Sequence, residues 1–192
     1  MMKTMRHRGF TLIELMIGLA VFSVLVLIAG PQYADFLGNS QTRNGAENAL
    51  AGVRRAQAEA VRGNTQVQFT LDTSAAGGWQ VMRWNDESLA FDTVVQSYKW
   101  ADGAPRTHID AGGLTTISFD GLGRIIQTGQ PLLDGTISAQ PITQVEITNT
   151  NVSVGNRRTL RVVVNPLTPT GVKLCDTDPD IASTDPRFCP VS

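Results

Sequence analysis

Histidine and cysteine are scarce, two of each in 192 residues, and this thinness excludes much chemistry. The cysteines, Cys175 and Cys189, form no C-x-x-C motif, and His7 and His108 lie far from them in sequence, so no zinc site is expected. No serine sits in a nucleophile elbow. Gly121-Leu122-Gly123 lacks the remaining spacing of a phosphate loop and reads as a turn. Asp176, Asp178 and Asp180 alternate like the start of a calcium loop, but Pro179 and Ile181 do not fit the rest of that pattern. The chain also lacks a basic excess: 16 cations against 17 acids give a formal charge of −1. A global pull toward nucleic acid is therefore absent, and any such role needs a local patch. The expectation is a protein that is not an enzyme and holds no cofactor or metal.

What the chain has is one long apolar run. Hydrophobic residues make up 42%, an ordinary average that hides an uneven spread. Residues 1–9 are short, basic (Lys3, Arg6, Arg8) and free of acids; without them 13 cations face 17 acids, a charge of −4. From Phe10 to Gly30 the sequence is apolar almost throughout, ending at Pro31. As a helix that run spans about 31 Å at 1.5 Å per residue, the thickness of a bilayer's hydrocarbon core. The basic leader belongs on the cytoplasmic side and the bulk of the chain outside. A secretory signal peptide would need a small-x-small site just past the run, and Ala29-Gly30-Pro31-Gln32-Tyr33 is a poor one. It would also leave Glu14 unexplained. A carboxylate within an apolar span costs several kcal/mol, roughly 2.5–3.5 at a helix centre, so Glu14 is a functional candidate. Its place near the start of the helix, where the dipole favours an anion, explains how it is tolerated.

Gly9-Phe10-Thr11-Leu12-Ile13-Glu14, after a basic leader and before a long apolar helix, resembles the prepilin peptidase site of type IV pilins and type II secretion pseudopilins. The resemblance implies removal of residues 1–9 by cleavage between Gly9 and Phe10, and N-methylation of the new Phe10 amine. It implies that Glu14 pairs with the N-terminal amine of a neighbouring subunit during assembly. A cation met in low dielectric is what makes a buried carboxylate tolerable. Gly30-Pro31 falls where these pilins carry a helix-distorting proline. Loss of a backbone donor and a clash with the preceding turn predict a kink or local melting there.

From 32 to 62 the pattern stays helical and turns amphipathic. Tyr33, Phe36, Leu37, Ala46, Ala49, Leu50, Val53, Ala56 and Ala60 are expected on the core face, with Arg43, Glu47, Arg54, Arg55, Glu59 and Arg62 mostly opposite. Gly63-Asn64 stops the helix. Strand-like runs follow at 67–71, 79–84, 94–100, 114–119, 124–128, 144–148, 159–165 and 171–174, separated by turn signals such as Asp120-Gly121, Asp134-Gly135 and Gly155-Asn156. The expected fold is α+β: a long N-terminal helix, transmembrane over 10–31 and amphipathic over 32–62, packed on a small antiparallel β-sheet head at 66–192.

Ile117-Ser118-Phe119-Asp120-Gly121-Leu122-Gly123-Arg124 is similar to the strand–turn segment of the GspH/FimT group. Arg157-Arg158-Thr159-Leu160-Arg161-Val162-Val163-Val164 and Gly171-Val172-Lys173-Leu174-Cys175 resemble that group's late strands. Within it the chain looks like a FimT/FimU-type minor pilin, with a GspH-type pseudopilin of a type II secretion system as the alternative. Implied partners are prepilin peptidase, other major and minor pilins, and the inner membrane from which the head projects into the periplasm. A third reading is a DNA-binding minor pilin. Some FimT-like proteins carry a late G-R-x-R motif, and Gly171-Val172-Lys173-Leu174 has one cation where that motif has two. Arg157, Arg158, Arg161 and Lys173 are the candidate contacts, but strand alternation puts Arg157 and Arg161 on one face and Arg158 on the other. In an exported head, Cys175 and Cys189 are expected to pair as a disulfide.

Overall fold

A computed structural model describes residues 10–165 and 171–189. One helix, α1 (Leu12–Gly63), runs for 52 residues. Its first half is apolar all round, which suits lipid or a bundle of like helices and no folded water-soluble surface. Its second half becomes a cover for the head. The stop is local: Asn64 adopts the left-handed conformation (φ 45°, ψ 44°), and its N–H bonds back to the Ala60 and Val61 carbonyls. Helix assignment continues through Pro31, so the chain does not melt there. The ring removes one N–H, the one that would meet the Leu27 carbonyl.

The head contains two four-stranded antiparallel sheets where one was expected. The strands are β1 (Val67–Leu71), β2 (Gly78–Asn85), β3 (Ala90–Lys99), β4 (His108–Asp110), β5 (Thr116–Phe119), β6 (Gln144–Thr148), β7 (Thr159–Val164) and β8 (Val172–Asp176). The first sheet has the order β3-β2-β1-β5 and the second β4-β6-β7-β8. Alternation fits half-covered strands: β1 buries Val67, Phe69 and Leu71, and β6 buries Val145 and Ile147. Two expectations fail. Residues 124–128 form no strand, because the Asp120–Arg124 turn leaves only an isolated bridge from Ile125 to Phe119. The three-residue β4 lacked any legible alternation and follows a short 3-10 turn at Trp100–Asp102.

Helix α1 packs against strands of both sheets. Its buried stripe is Asp35, Gly38, Thr42, Gly45, Ala46, Ala49, Gly52, Val53, Ala56, Glu59 and Ala60, which corrects the expected core face at both ends. Tyr33, Phe36 and Leu37 are exposed: Tyr33 precedes the first covered residue, Asp35, and Phe36 and Leu37 lie off the side that Asp35, Gly38 and Thr42 turn to the head. Glu59, expected at the surface, is 2% exposed. The stripe is made of small residues because the sheets carry the bulk. A Cβ built on Gly52 would fall 2.8 Å from Phe69 Cε2 and 2.9 Å from the Trp79 ring. Those rings continue into a contact series in which Phe69 meets Trp79 at 5.9 Å, and Trp79 stacks on Tyr98 at 6.0 Å.

Candidate functional site

The N-terminal end of α1 is built by a capping box. Thr11 is extended (φ −81°, ψ 152°) and its hydroxyl accepts the Glu14 N–H at 3.3 Å, while Glu14 Oε2 accepts the Thr11 N–H at 3.5 Å. Two otherwise unpaired backbone donors are thereby satisfied, and Glu14 puts its anion in the first turn, where the dipole favours it. Phe10 lies just outside the helix and is exposed. Gly9, on the other side of the expected cleavage bond, lies outside the described residues. Glu14 is exposed like every residue from Phe10 to Ala34, and no described part of the head covers this stretch. Its most apolar 18-residue window has mean hydropathy 2.7 with none of it buried, so the helix is long and apolar enough to cross a membrane. The Ser23 hydroxyl within the apolar run is satisfied internally, its Oγ donating to the Leu19 carbonyl at 2.8 Å.

Beyond Pro31 the helix is clasped by the loop between β6 and β7. Buried Asp35 accepts the Ser153 N–H at 3.0 Å, the Ser153 hydroxyl at 3.2 Å and the Asn156 amide at 2.8 Å. These donors, the Asn156 amide foremost and the Ser153 backbone next, hold its carboxyl below the ordinary range. One turn on, Asn39 donates to the Asn156 carbonyl at 2.8 Å and accepts the Arg158 N–H at 3.0 Å. Asn149 donates to the Gly38 carbonyl at 3.3 Å. Val152 packs so closely on Gly38 that a Cβ there would collide with its Cγ2. None of this clasp was anticipated; Asp35 stands two residues from an aromatic in a run read only for its apolar period.

Cys175 and Cys189 form a disulfide that ties the C-terminal segment to β8. The segment is also pinned by the Asp176 N–H, which donates to the Arg187 carbonyl at 2.7 Å. The four cations considered for nucleic acid are not gathered as alternation predicts. β7 begins at Thr159, so Arg157 and Arg158 belong to the preceding turn. Arg157 donates to the Thr150 carbonyl at 3.0 Å and the Val152 carbonyl at 3.1 Å. Arg161, 21% exposed, pairs with Glu146 at 2.9 Å. Lys173 reaches the Phe188 carbonyl at 3.5 Å, and Arg158 has an exposed side chain.

Comparison with known proteins points to one family. Residues 4–30 match the prokaryotic N-terminal methylation motif, and residues 45–168, well over half the chain, match the family described as type II transport protein GspH. The type IV major alpha-pilin of Moraxella bovis is 42% identical over 61 residues, 32% of this chain and 38% of that pilin. Fimbrial protein Q of the same organism is 41% identical over 59 residues, 31% of this chain and 38% of the relative. The chain thus spans well under half the length of these curated relatives. The crystal structure of the type IV minor pilin FimU of Pseudomonas aeruginosa superposes with a TM-score of 0.45 at 14% identity, over 72% of this chain and 91% of that one. On the two family matches, the chain belongs to the GspH family of type IV pilin-like proteins and carries their N-terminal methylation motif.

Proposed function

We propose that this chain is a minor type IV pilin that takes part in assembling a pilus, a structural subunit and not an enzyme. Prepilin peptidase cuts it between Gly9 and Phe10, and the Phe10 amine is methylated. Residues 10–31 hold it in the inner membrane, with the head of residues 32–192 in the periplasm, until it enters a filament with other pilins. The observation that carries this reading is the bare half of α1: an apolar helix whose start is capped by its own carboxylate and whose sides none of the described head covers. Such a surface is stable only in lipid or among like helices. Once packed there, Glu14 needs a cation, and a neighbour's amine supplies one.

The match to the GspH family favours a second reading, a pseudopilin of a type II secretion system, with the same processing and the same helix chemistry. The disulfide-closed C-terminal segment is the feature that ranks the pilus first. The DNA-binding reading ranks last, because Arg157 and Arg161 already serve contacts within the head. The test is mass spectrometry of sheared pili, together with secretion assays on a deletion strain. The expected results are a mature chain starting at methylated Phe10 in the pili, and lost piliation with secretion intact. Glu14→Ala is expected to leave a precursor that is cleaved but poorly incorporated. Lost secretion with normal piliation would move the assignment to the pseudopilin, and normal incorporation of Glu14→Ala would remove the pairing role.

A further inference from the structure

The clasp on Asp35 fixes the height at which the β6–β7 loop meets α1. The apolar run ends at Gly30, and five residues of helix place Asp35 about 7.5 Å further along the axis. A bilayer adds roughly 5–8 Å of head-group layer on each side of its hydrocarbon core. The loop is therefore held at the level of that layer whenever the apolar run spans a membrane. It has little freedom to leave, since Asp35, Asn39 and Gly38 are all engaged by it.

At this level the loop shows one large apolar side chain among the exposed polar Thr150, Asn151, Ser153 and Asn156. Val154, at its tip, is 85% exposed, the highest exposure among the large apolar residues of the described chain. On the helix Tyr33, Phe36 and Leu37 are exposed near the same height, Tyr33 and Leu37 on the face turned away from Asp35. A tyrosine just past an apolar span is the residue type that settles at a membrane–water boundary. Charge does not oppose the contact or direct it. The exposed Arg158 stands on one flank, and the exposed Asp178 follows a Thr177 whose hydroxyl and N–H both reach the Thr159 carbonyl.

We propose that the β6–β7 loop, through Val154 and together with Tyr33, Phe36 and Leu37, is a foot on which the head rests against the bilayer that holds its own helix. The occupant of this surface is the head-group and upper acyl region of neutral phospholipid. The inference rests on the reading of residues 10–31 as a membrane span. The foot sets the tilt of the head before filament entry, and leaving the membrane uncovers it.

The experiment uses the full chain with Val154→Cys, whose thiol is the only reactive one because Cys175 and Cys189 are bonded to each other. A polarity-sensitive fluorophore is attached, and the protein is reconstituted in neutral phosphatidylcholine vesicles with or without shallow spin-labelled lipid. Leu89→Cys is the control: it is also exposed, in the β2–β3 hairpin next to the strand whose Arg83 faces Glu59, at the far end of α1. The expected result is blue-shifted, lipid-quenched emission at 154 and water-like, unquenched emission at 89. Protein that floats with the vesicles but gives water-like emission at both positions overturns the foot and leaves the membrane span standing. Protein that does not float overturns both.

Discussion

Glu59 and Arg62 form an ion pair with unequal halves, and the inequality predicts which partner matters more. Glu59 is 2% exposed, whereas the Arg62 side chain is 69% exposed. Arg62 Nε donates to Glu59 Oε2 at 2.9 Å, Arg62 Nη2 binds the other oxygen, and Arg83 stands 3.6 Å from the pair. Arg62→Ala leaves a buried carboxylate facing only the more distant charges of Arg55 and Arg83. Stranding a buried charge costs about 3–5 kcal/mol, with Arg83 holding the loss toward the lower end. Glu59→Ala removes the buried charge and lets two arginines rehydrate, so the loss is that of the hydrogen bonds, about 1–2 kcal/mol. At roughly 2–4 °C per kcal/mol for a chain of this size, Arg62→Ala should lower Tm by about 6–12 °C and Glu59→Ala by about half as much or less. The assay is tryptophan fluorescence of the detergent-solubilised chain, since Trp79, Trp84 and Trp100 all lie in the head. Arg62 holds the Glu59 carboxyl below its ordinary value against the opposing effect of burial. In the wild type the pair's contribution is therefore full above the unfolded carboxylate pKa and is lost as pH falls through the lower folded value. In Arg62→Ala burial acts with less opposition, the carboxyl protonates more readily, and acidification narrows the gap to wild type. An Arg62→Ala chain as stable as Glu59→Ala, or a gap that widens in acid, would refute the reasoning.

Two further outcomes follow from packing and covalent closure. Replacing Cys175 and Cys189 by serine opens a loop with a sequence separation of 14 and should destabilise the head by about 3 kcal/mol on the chain-entropy account, read as a lower denaturation midpoint in urea. Unchanged midpoints would show that the segment is held by its other contacts alone. Gly52→Ala gains about 1 kcal/mol of helix propensity but drives a methyl against two buried rings, an overpacking cost of about 1–3 kcal/mol. A net loss of about 1 kcal/mol in thermal melts is expected, and a rise in Tm would show that Phe69 and Trp79 yield.

Local chemistry made much of this protein legible before folding. Basic leader, Gly9-Phe10, Glu14 and an unbroken apolar run act within a few residues of one another, so their meaning does not depend on distant contacts. The helix stop at Gly63-Asn64 is equally local, and the runs at 67–71 and 144–148 carry a period that a strand requires. Residues 124–128 show where this fails: the β-prone Ile125 and Ile126 follow a turn that leaves a single bridge, and no local signal reports the loss of a pairing partner.

The sequence alone thus determined that the chain has an apolar helix with an acid near its start and an amphipathic continuation under a β-rich head. Tertiary structure alone decided that the described head has two sheets, that β1 pairs with β5 and β4 with β6 across 36–52 residues of chain, and which helix residues are buried. Asp35 and Glu59 went inside and Phe36 stayed out because burial depends on where the head's edge falls and which donors it brings. Ser153 and Asn156 supply the donors for Asp35, and Arg83 a charge beside Glu59, from sequence positions that the helical period cannot see.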